Sequence, residues 1–362
     1  MLGANVHPDW ESAGPCSDAH RGRELADPVS EPADAALLRL ISGYRVTQVL
    51  YVATKLGIPD LLSAGPKDAG TLASHAGVEP DRLHRVLRVM ASLGVLTLDD
   101  QERFGLTPIG ELLRTDHVGS MAVVSTFAGE EPYRAWGDLL HTVKTGETAF
   151  DHVYGMGHFE YLALHPEASA MFNRLMAWSV ELTGPALEGY DLSGHRLLVD
   201  VGGGKGAMIA SVLRTHPHLR GILFDQPAAV VDAVAQLSSA GVADRCEIRT
   251  GSAFDGVPTG GDVYVLSRVL HDWPDAKAAT MLLNCRKAMA KGDVLLLVEG
   301  VMPAGVAPPS RLWLDLVMMV MNGGGERTEA EWRTLLEATG FSLVSVRPTT
   351  RPTQDLLEAR AV

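Results

Sequence analysis

The sequence predicts an α/β protein: a mostly parallel sheet with a reversed last strand, preceded by a mainly helical region. Three observations carry this. The stretch 195–225, HRLLVDVGGGKGAMIASVLRTHPHLRGILFD, reads as strand, tight glycine turn, helix, strand and carboxylate. From Leu192 onward apolar runs alternate with helical patterns, as crossover-connected parallel strands require. Two late runs, Ser342–Val346 and Leu356–Ala361, have only a short turn, Pro348–Thr353, between them. No crossover helix fits there, so the pair must form an antiparallel hairpin at the sheet edge.

Residues 1–33 mix Gly, Pro, Asp, Glu and Ser without apolar period and read as a mobile tail. Helical spacing begins near Ala35 with Leu37, Leu38, Leu40, Ile41, Val46, Val49, Leu50 and Ala53. Between Gly57 and Leu113, a short helix ends at Gly77 and a second starts at Pro80, with Leu83, Val86, Leu87 and Met90 on one face. A hairpin of Val95–Leu98 and Arg103–Leu106 follows, and Thr107 caps a further helix with Pro108 at its first position. Helices followed by a hairpin form a winged-helix pattern, assigned to residues 34–118. Residues 119–190 read as a helical connector rich in aromatic and Met side chains, some of which must line a pocket. Residues 191–362 form the sheet domain, with strands at Leu197–Val201, Gly221–Phe224, Cys246–Thr250, Asp262–Ser267 and Val294–Val298, each followed by a helical pattern.

The glycine cluster Gly202, Gly203, Gly204 and Gly206 lets a backbone approach a ligand closely, and Asp225 ends the next strand where it can accept from a ribose diol. Gly202, Gly204 and Ala207 also satisfy the dinucleotide pattern G-x-G-x-x-G/A. The segment therefore admits S-adenosylmethionine (SAM), a nicotinamide or flavin nucleotide, or a plain α/β turn. The reversed last strand resembles the sheet of Rossmann-like SAM-dependent methyltransferases more than that of nicotinamide-binding domains, and this resemblance favours SAM.

The 362 residues favour two domains, and 46% hydrophobic residues supply a large core. A net charge of −13 argues against a nucleic-acid partner. Within Thr71–Leu113, four bases (Arg82, Arg85, Arg88, Arg103) face six acids (Glu79, Asp81, Asp99, Asp100, Glu102, Glu111), the wrong sign for a DNA reader. The winged helix is better read as a packing or dimerisation module. No run reaches the length of a membrane span, and the first residues lack the basic and apolar regions of a secretory signal. Cys16, Cys246 and Cys285 are too scattered for a disulfide framework or a zinc site, which fits a cytoplasmic protein. No His/Asp/Glu triad with ligand spacing stands out, so no metal is expected.

The segment Leu266–Asp275, LSRVLHDWPD, joins Leu198–Gly206 (LVDVGGGKG), Leu297-Val298-Glu299 and Gly323–Thr328 (GGGERT) as four ordered motifs. Together they resemble the small-molecule O-methyltransferases of the plant caffeate/flavonoid type, nearest to the bacterial branch that acts on phenolic polyketides and antibiotic scaffolds. The likeness runs from about residue 35 to the C-terminus. It implies a Rossmann-like class I methyltransferase domain, a winged-helix part that forms a homodimer, SAM as cofactor and a small phenolic acceptor.

The resemblance makes His271 the general base, with Glu299 and Glu326 as acids beside it. The chemistry is sound independently: a phenol with pKa near 10 is scarcely ionised at neutral pH, and an imidazole can take its proton as the oxygen attacks. For SAM, the resemblance implies Asp200, Gly202, Gly203, Gly204, Gly206, Asp225, Gln226, Ser252, Ala253, Phe254, Ser267, Arg268 and Arg174. For the acceptor it implies Phe172, Met176, Trp273, Met318 and Asn322. Two departures stand out. Ser252 occupies the place of the Asp in the family's G-D-x-F motif, which weakens the adenine contact or hands it to Asp255 or a water. Asn322–Glu326 is one residue shorter than the plant pattern, which shifts Glu326. The family also contains members that methylate carbon or perform hydroxylation or decarboxylation. A nicotinamide-dependent oxidoreductase and a ligand-sensing winged-helix regulator are the alternatives outside it.

Overall fold

A computed structural model describes residues 32–183, 187, 189–349 and 353–362. The expected tail lies outside them apart from Pro32 and Ala33, as do residues 350–352 of the last turn. Two compact units divide between Gln48 and Val49. The described part of the first holds α1 (Ala33–Ile41) and the opening turns of α2 (Gly43–Lys55). Leu37, Leu38, Leu40 and Ile41 of α1 are all exposed.

The second unit opens with α3 (Ile58–Leu61), β1 (Lys67–Asp68), α4 (Ala69–Ala76), α5 (Pro80–Ser92), β2 (Leu96–Leu98), β3 (Arg103–Leu106) and α6 (Pro108–Glu111). Asp68 caps α4 by accepting from Thr71 N at 2.8 Å, and Gly77 ends it at φ 67°. Thr107 caps α6 through Gly110 N. The expected hairpin is present, with β3 central and antiparallel to both β1 and β2. Leu72, Leu83, Leu87, Met90, Leu96 and Phe104 form its core. Helices α7 (Ala122–Gly129), α8 (Glu131–Gly137), α9 (Leu139–Thr145), α10 (Ala149–Tyr154), α11 (His158–Leu164) and α12 (Pro166–Thr183) follow.

Beyond them come β4 (Leu197–Val201), α13 (Ala207–Thr215), β5 (Arg220–Asp225), α14 (Ala233–Ser239), β6 (Cys246–Thr250), β7 (Val263–Ser267), α15 (Asp275–Ala288) and β8 (Val294–Glu299). The chain ends with β9 (Val301–Met302), α16 (Pro309–Met321), β10 (Arg327–Thr328), α17 (Glu329–Ala338), β11 (Phe341–Pro348) and β12 (Asp355–Ala361). The main sheet has the order β11-β12-β8-β7-β4-β5-β6. Strands β4 to β8 pair in parallel, and β12 alone runs against them. Its register sets Leu357 opposite Leu297 and Asp355 opposite Glu299. Alternate residues serve opposite faces: Leu198, Val265 and Leu296 pack in one core layer, Val199, Leu266 and Leu297 in the other.

Two features differ from the expectation. No helix follows β6; residues 251–262 run as an irregular connection to β7. Gly256, Pro258, Gly260 and Gly261 break helical continuity there. β9 and β10 form a small parallel pair that two-residue runs could not announce. It returns the chain after α16 to the end of β8. Strand order reverses about β4, which has β5 on one side and β7 on the other. A crevice outside the carboxyl ends of strands at such a point is where open α/β sheets bind ligands.

Candidate active site

The glycine turn leaves β4 at that point. Gly203 passes so close over Asp200 that a Cβ there would lie 2.4 Å from Asp200 Oδ2 and 2.5 Å from Leu223 Cδ1. Gly204 adopts φ +56° with open space beside it. Its N–H donates to Asp225 Oδ2 at 2.8 Å, and Gln226 N–H donates to Oδ1 at 2.6 Å. Asp200 is fully buried and neither carboxylate oxygen has a hydrogen-bond partner among the described residues. Burial, with the Asp225 charge nearby, pushes its pKa up to about 8. The turn thus presents an unsatisfied acid and a strand-end carboxylate in one place.

Beyond β6, Ser252 Oγ accepts from Phe254 N at 3.2 Å, so the residue replacing the expected Asp caps its own turn. Asn284 donates to the carbonyls of Ala253 and Phe254, which pins that turn to α15. The Phe254 ring meets Trp273 edge-on, 4.9 Å between centroids. Asp255 is exposed.

Past Ser267, Arg268 takes φ 55° in the left-handed region, unusual for a non-glycine residue. Its guanidinium bonds Ser179 Oγ on α12. A short turn, Leu270–Asp272, then carries His271, which is 3% exposed. Glu299, the last residue of β8, holds this turn: its Oε1 accepts from Val269 N at 3.0 Å and Leu270 N at 2.8 Å. His271 Nδ1 lies 2.8 Å from Glu326 Oε1 and 3.8 Å from Glu299 Oε2. Its Nε2 makes no hydrogen bond among the described residues; Asp272 Oδ1 stands 3.9 Å away. Burial would lower the His271 pKa, but the carboxylates of Glu299, Glu326 and Asp272 outweigh it and raise it. Burial raises Glu299 in turn, against the pull of His271.

The β9–β10 pair explains how Glu326, far along the chain, arrives here. A Cβ on Gly300 would sit 2.1 Å from Glu326 Oε2, so only glycine follows Glu299 without displacing the acid. Gly325 N–H donates to the His271 carbonyl, and Asp315 of α16 receives the Glu326 N–H at 2.8 Å. Arg327 donates to the carbonyls of Leu270 and Trp273. The single-residue shortening of Asn322–Glu326 therefore leaves Glu326 in direct contact with the imidazole.

An aromatic wall adjoins this turn. Trp273 stacks on Phe159 at 5.2 Å; Phe159 meets Phe172 at 6.1 Å, and Phe172 meets Phe127 at 6.4 Å. Phe172 and Trp273 were expected there, and Phe159 only as one of the connector's aromatic residues; His158 was not expected, because a lone His in an aromatic-rich helix carries no spacing signal. Asn322 ends α16 and bonds both His158 and Asp272. Met318 on α16 is buried and Met176 on α12 half-buried. Arg174 is exposed on α12 with its guanidinium 3.6 Å from Met171 Sδ, and makes no hydrogen bond to the glycine turn among the described residues.

The fold also gathers one group that the sequence spacing did not flag. Asp138, His141 and His152 place ligand-type atoms within 4.8 Å of one another. They already pair among themselves and with Glu147: His152 Nδ1 lies 2.5 Å from Asp138 Oδ2, and His141 Nε2 3.2 Å from Glu147 Oε2.

Residues 136–342 match the O-methyltransferase domain family and residues 38–116 the O-methyltransferase dimerisation domain. The chain belongs to the O-methyltransferase family. It is 45% identical over 332 residues to the phenazine O-methyltransferase PhzM of Lysobacter antibioticus, covering 91% of this chain and 97% of that one. It is 36% identical to the 8-amino-8-demethylriboflavin N,N-dimethyltransferase of Streptomyces davaonensis, covering 89% and 95%. The fold matches the O-methyltransferase NcsB1 from neocarzinostatin biosynthesis, solved with SAM and 2-hydroxy-5-methyl naphthoic acid. That match has TM-score 0.82 and 34% identity over 90% of this chain and 98% of that one. This chain is therefore a SAM-dependent methyltransferase with a dimerisation domain ahead of a Rossmann-like domain. The glycine turn suits that cofactor: the orphaned Asp200 carboxylate calls for donors or a cation, and Gly204 leaves space beside Asp225. Among the described residues, no helix is long and apolar enough to cross a membrane.

Proposed function

We propose that this chain transfers a methyl group to a phenolic or enolic hydroxyl of a small aromatic natural-product intermediate, with His271 as general base. The observation that carries the reading is the 2.8 Å contact between His271 Nδ1 and Glu326, which leaves Nε2 free. A Nδ1–H held by a carboxylate fixes the tautomer and places the lone pair on Nε2. The acceptor hydroxyl gives its proton to Nε2 as its oxygen forms the new O–C bond. Glu326 then stabilises the imidazolium, while Glu299 keeps the turn in place through Val269 and Leu270. When bound, SAM supplies a methyl carbon made electrophilic by the sulfonium, and the C–S bond electrons stay with sulfur.

Asp225 would hold the ribose diol, with Gln226 beside it. The Gly202–Gly206 backbone and Asp200 would hold the methionine portion, helped by Ser267 and Arg268. Phe254 offers its ring to the adenine, and Ser252 and Ala253 shape that turn. Phe172, Met176, Trp273, Met318 and Asn322 would surround the acceptor, whose flatness suits the Phe159–Trp273 stack. One relative named for a phenazine and another solved with a naphthoic acid support an aromatic acceptor. The exposed apolar residues of α1 support a homodimer formed through residues 34–118. The acidic net charge argues against a nucleic-acid partner, and the scattered cysteines suit a cytoplasmic enzyme.

An aryl amine, the acceptor type named for the Streptomyces davaonensis relative, attacks through a lone pair and sheds its proton afterwards. The base therefore separates the two acceptor types. Supplying purified protein with labelled SAM and a panel of hydroxynaphthoic acids and matched aryl amines should yield methyl ethers. Transfer confined to nitrogen would overturn the reading.

A further inference from the structure

The contacts His158–Asn322–Asp272 carry no proton in the transfer above, yet one run of hydrogen bonds links them. Asn322 Nδ2 donates to Asp272 Oδ1 at 2.7 Å. A carboxylate only accepts, so the amide turns its NH2 to Asp272 and its Oδ1 to His158. His158 Nδ1, 3.0 Å from that oxygen, is then the protonated nitrogen. A neutral imidazole carries one N–H, so Nε2 keeps a lone pair. Burial lowers the His158 pKa and favours this neutral form. The residue is 6% exposed and Nε2 has no hydrogen-bond partner among the described residues. Its ring lies 5.3 Å from Phe172 and 4.8 Å from Phe150, and it precedes Phe159, which stacks on Trp273. An acceptor without a protein partner in an otherwise aromatic wall rewards a ligand that donates to it.

We propose that His158 Nε2 reads a second hydrogen-bond donor, a hydroxyl or ring N–H, on a flat aromatic acceptor whose other hydroxyl meets His271. The proposal rests on the O-methylation reading only in that the same pocket holds the acceptor. Asn322 is then a positioning residue, because it sets the His158 tautomer without accepting the ligand's proton.

The test measures binding, not turnover, so that it stands apart from the reaction assigned above. Protein loaded with S-adenosylhomocysteine is titrated calorimetrically with 1- and 2-naphthol and with the dihydroxynaphthalene isomers. At least one dihydroxy isomer should bind about tenfold to a hundredfold more tightly than its monohydroxy counterpart, the effect of one buried hydrogen bond of about 1.4–2.7 kcal/mol. His158→Phe, which keeps the ring, should erase that preference and leave naphthol affinity unchanged. His158→Gln, which offers an amide oxygen, should retain part of it. Equal affinity for mono- and dihydroxy ligands, no binding of either, or equal losses for both in His158→Phe would overturn the proposal. If binding discriminates but no ether forms, the O-methylation reading fails and this one stands. Imidazole 15N shifts of the wild-type protein give a check that needs no variant: an Nε2–H tautomer of His158 would overturn the assignment.

Discussion

His271 sits between carboxylates that pull its pKa up and a buried setting that pulls it down. The carboxylates prevail and push it up to about 9, so the Nε2 lone pair that takes the acceptor's proton is populated increasingly as pH rises towards that value. His271→Ala should lower kcat by roughly 10²–10⁴, the usual contribution of a positioned base, with SAM affinity little changed. The deficit should shrink as pH approaches the phenol pKa near 10, where phenolate forms without help. Steady-state rates across pH 6–10 read both effects; a pH-independent deficit would count against proton transfer at Nε2. Glu326→Gln keeps the shape but removes the charge that steadies the imidazolium, so kcat should fall about 10–100-fold, as for a hydrogen bond to a charged group. Asp225→Ala should weaken SAM binding by on the order of 1.5–3 kcal/mol, measured by calorimetry. Asp200 makes a separate prediction about stability. Its pKa rises from an ordinary carboxylate value to about 8 on folding. Between about pH 4 and 8 the folded state then binds a proton that the unfolded state has lost, so the cofactor-free protein loses stability as pH rises, by up to about 1.4 kcal/mol per unit. Asp200→Asn should flatten that slope in urea melts at successive pH values.

At the scale of elements, the glycine turn is set by what lies under it. Gly203→Ala puts a methyl against Asp200 and Leu223, and should cost about 1–3 kcal/mol in urea unfolding while also weakening SAM binding. Unchanged stability would mean that the turn yields freely. This region was legible in the sequence because strand, turn, helix and acid are consecutive, and local pattern encodes them all. The reversed hairpin was legible for the same reason: six residues, 348–353, leave no room for a crossover. The connection after β6 was misread as helical, since a pattern beyond each strand was generalised over a segment holding Gly256, Pro258, Gly260 and Gly261. Motifs alone proposed both Glu299 and Glu326 beside His271. They did not say that Glu326 bonds the ring while Glu299 bonds the backbone of its turn, because that division depends on β9, β10 and Gly300. His158 was missed because its partner, Asn322, lies far along the chain and only tertiary structure pairs them.

At the scale of the whole molecule, the apolar residues of α1 make association the expected state in solution. Light scattering at micromolar concentration should give a dimer; a monodisperse monomer would contradict it. Replacing Leu37, Leu40 and Ile41 together with Asp should shift the population towards monomer. β12 occupies the interior of the main sheet, between β11 and β8, and its Asp355 pairs with Glu299. Residues 355–361 are thus made long after β8, yet β8 has no neighbour on that side until they arrive. During synthesis the edge beside the Glu299 turn must stay open, a row of unsatisfied amides exposed to any passing strand. A nascent chain stalled short of residue 355 can fold its glycine turn but cannot seal the flank of the strand that ends in Glu299. Such chains should be the ones that chaperones hold and proteases clear.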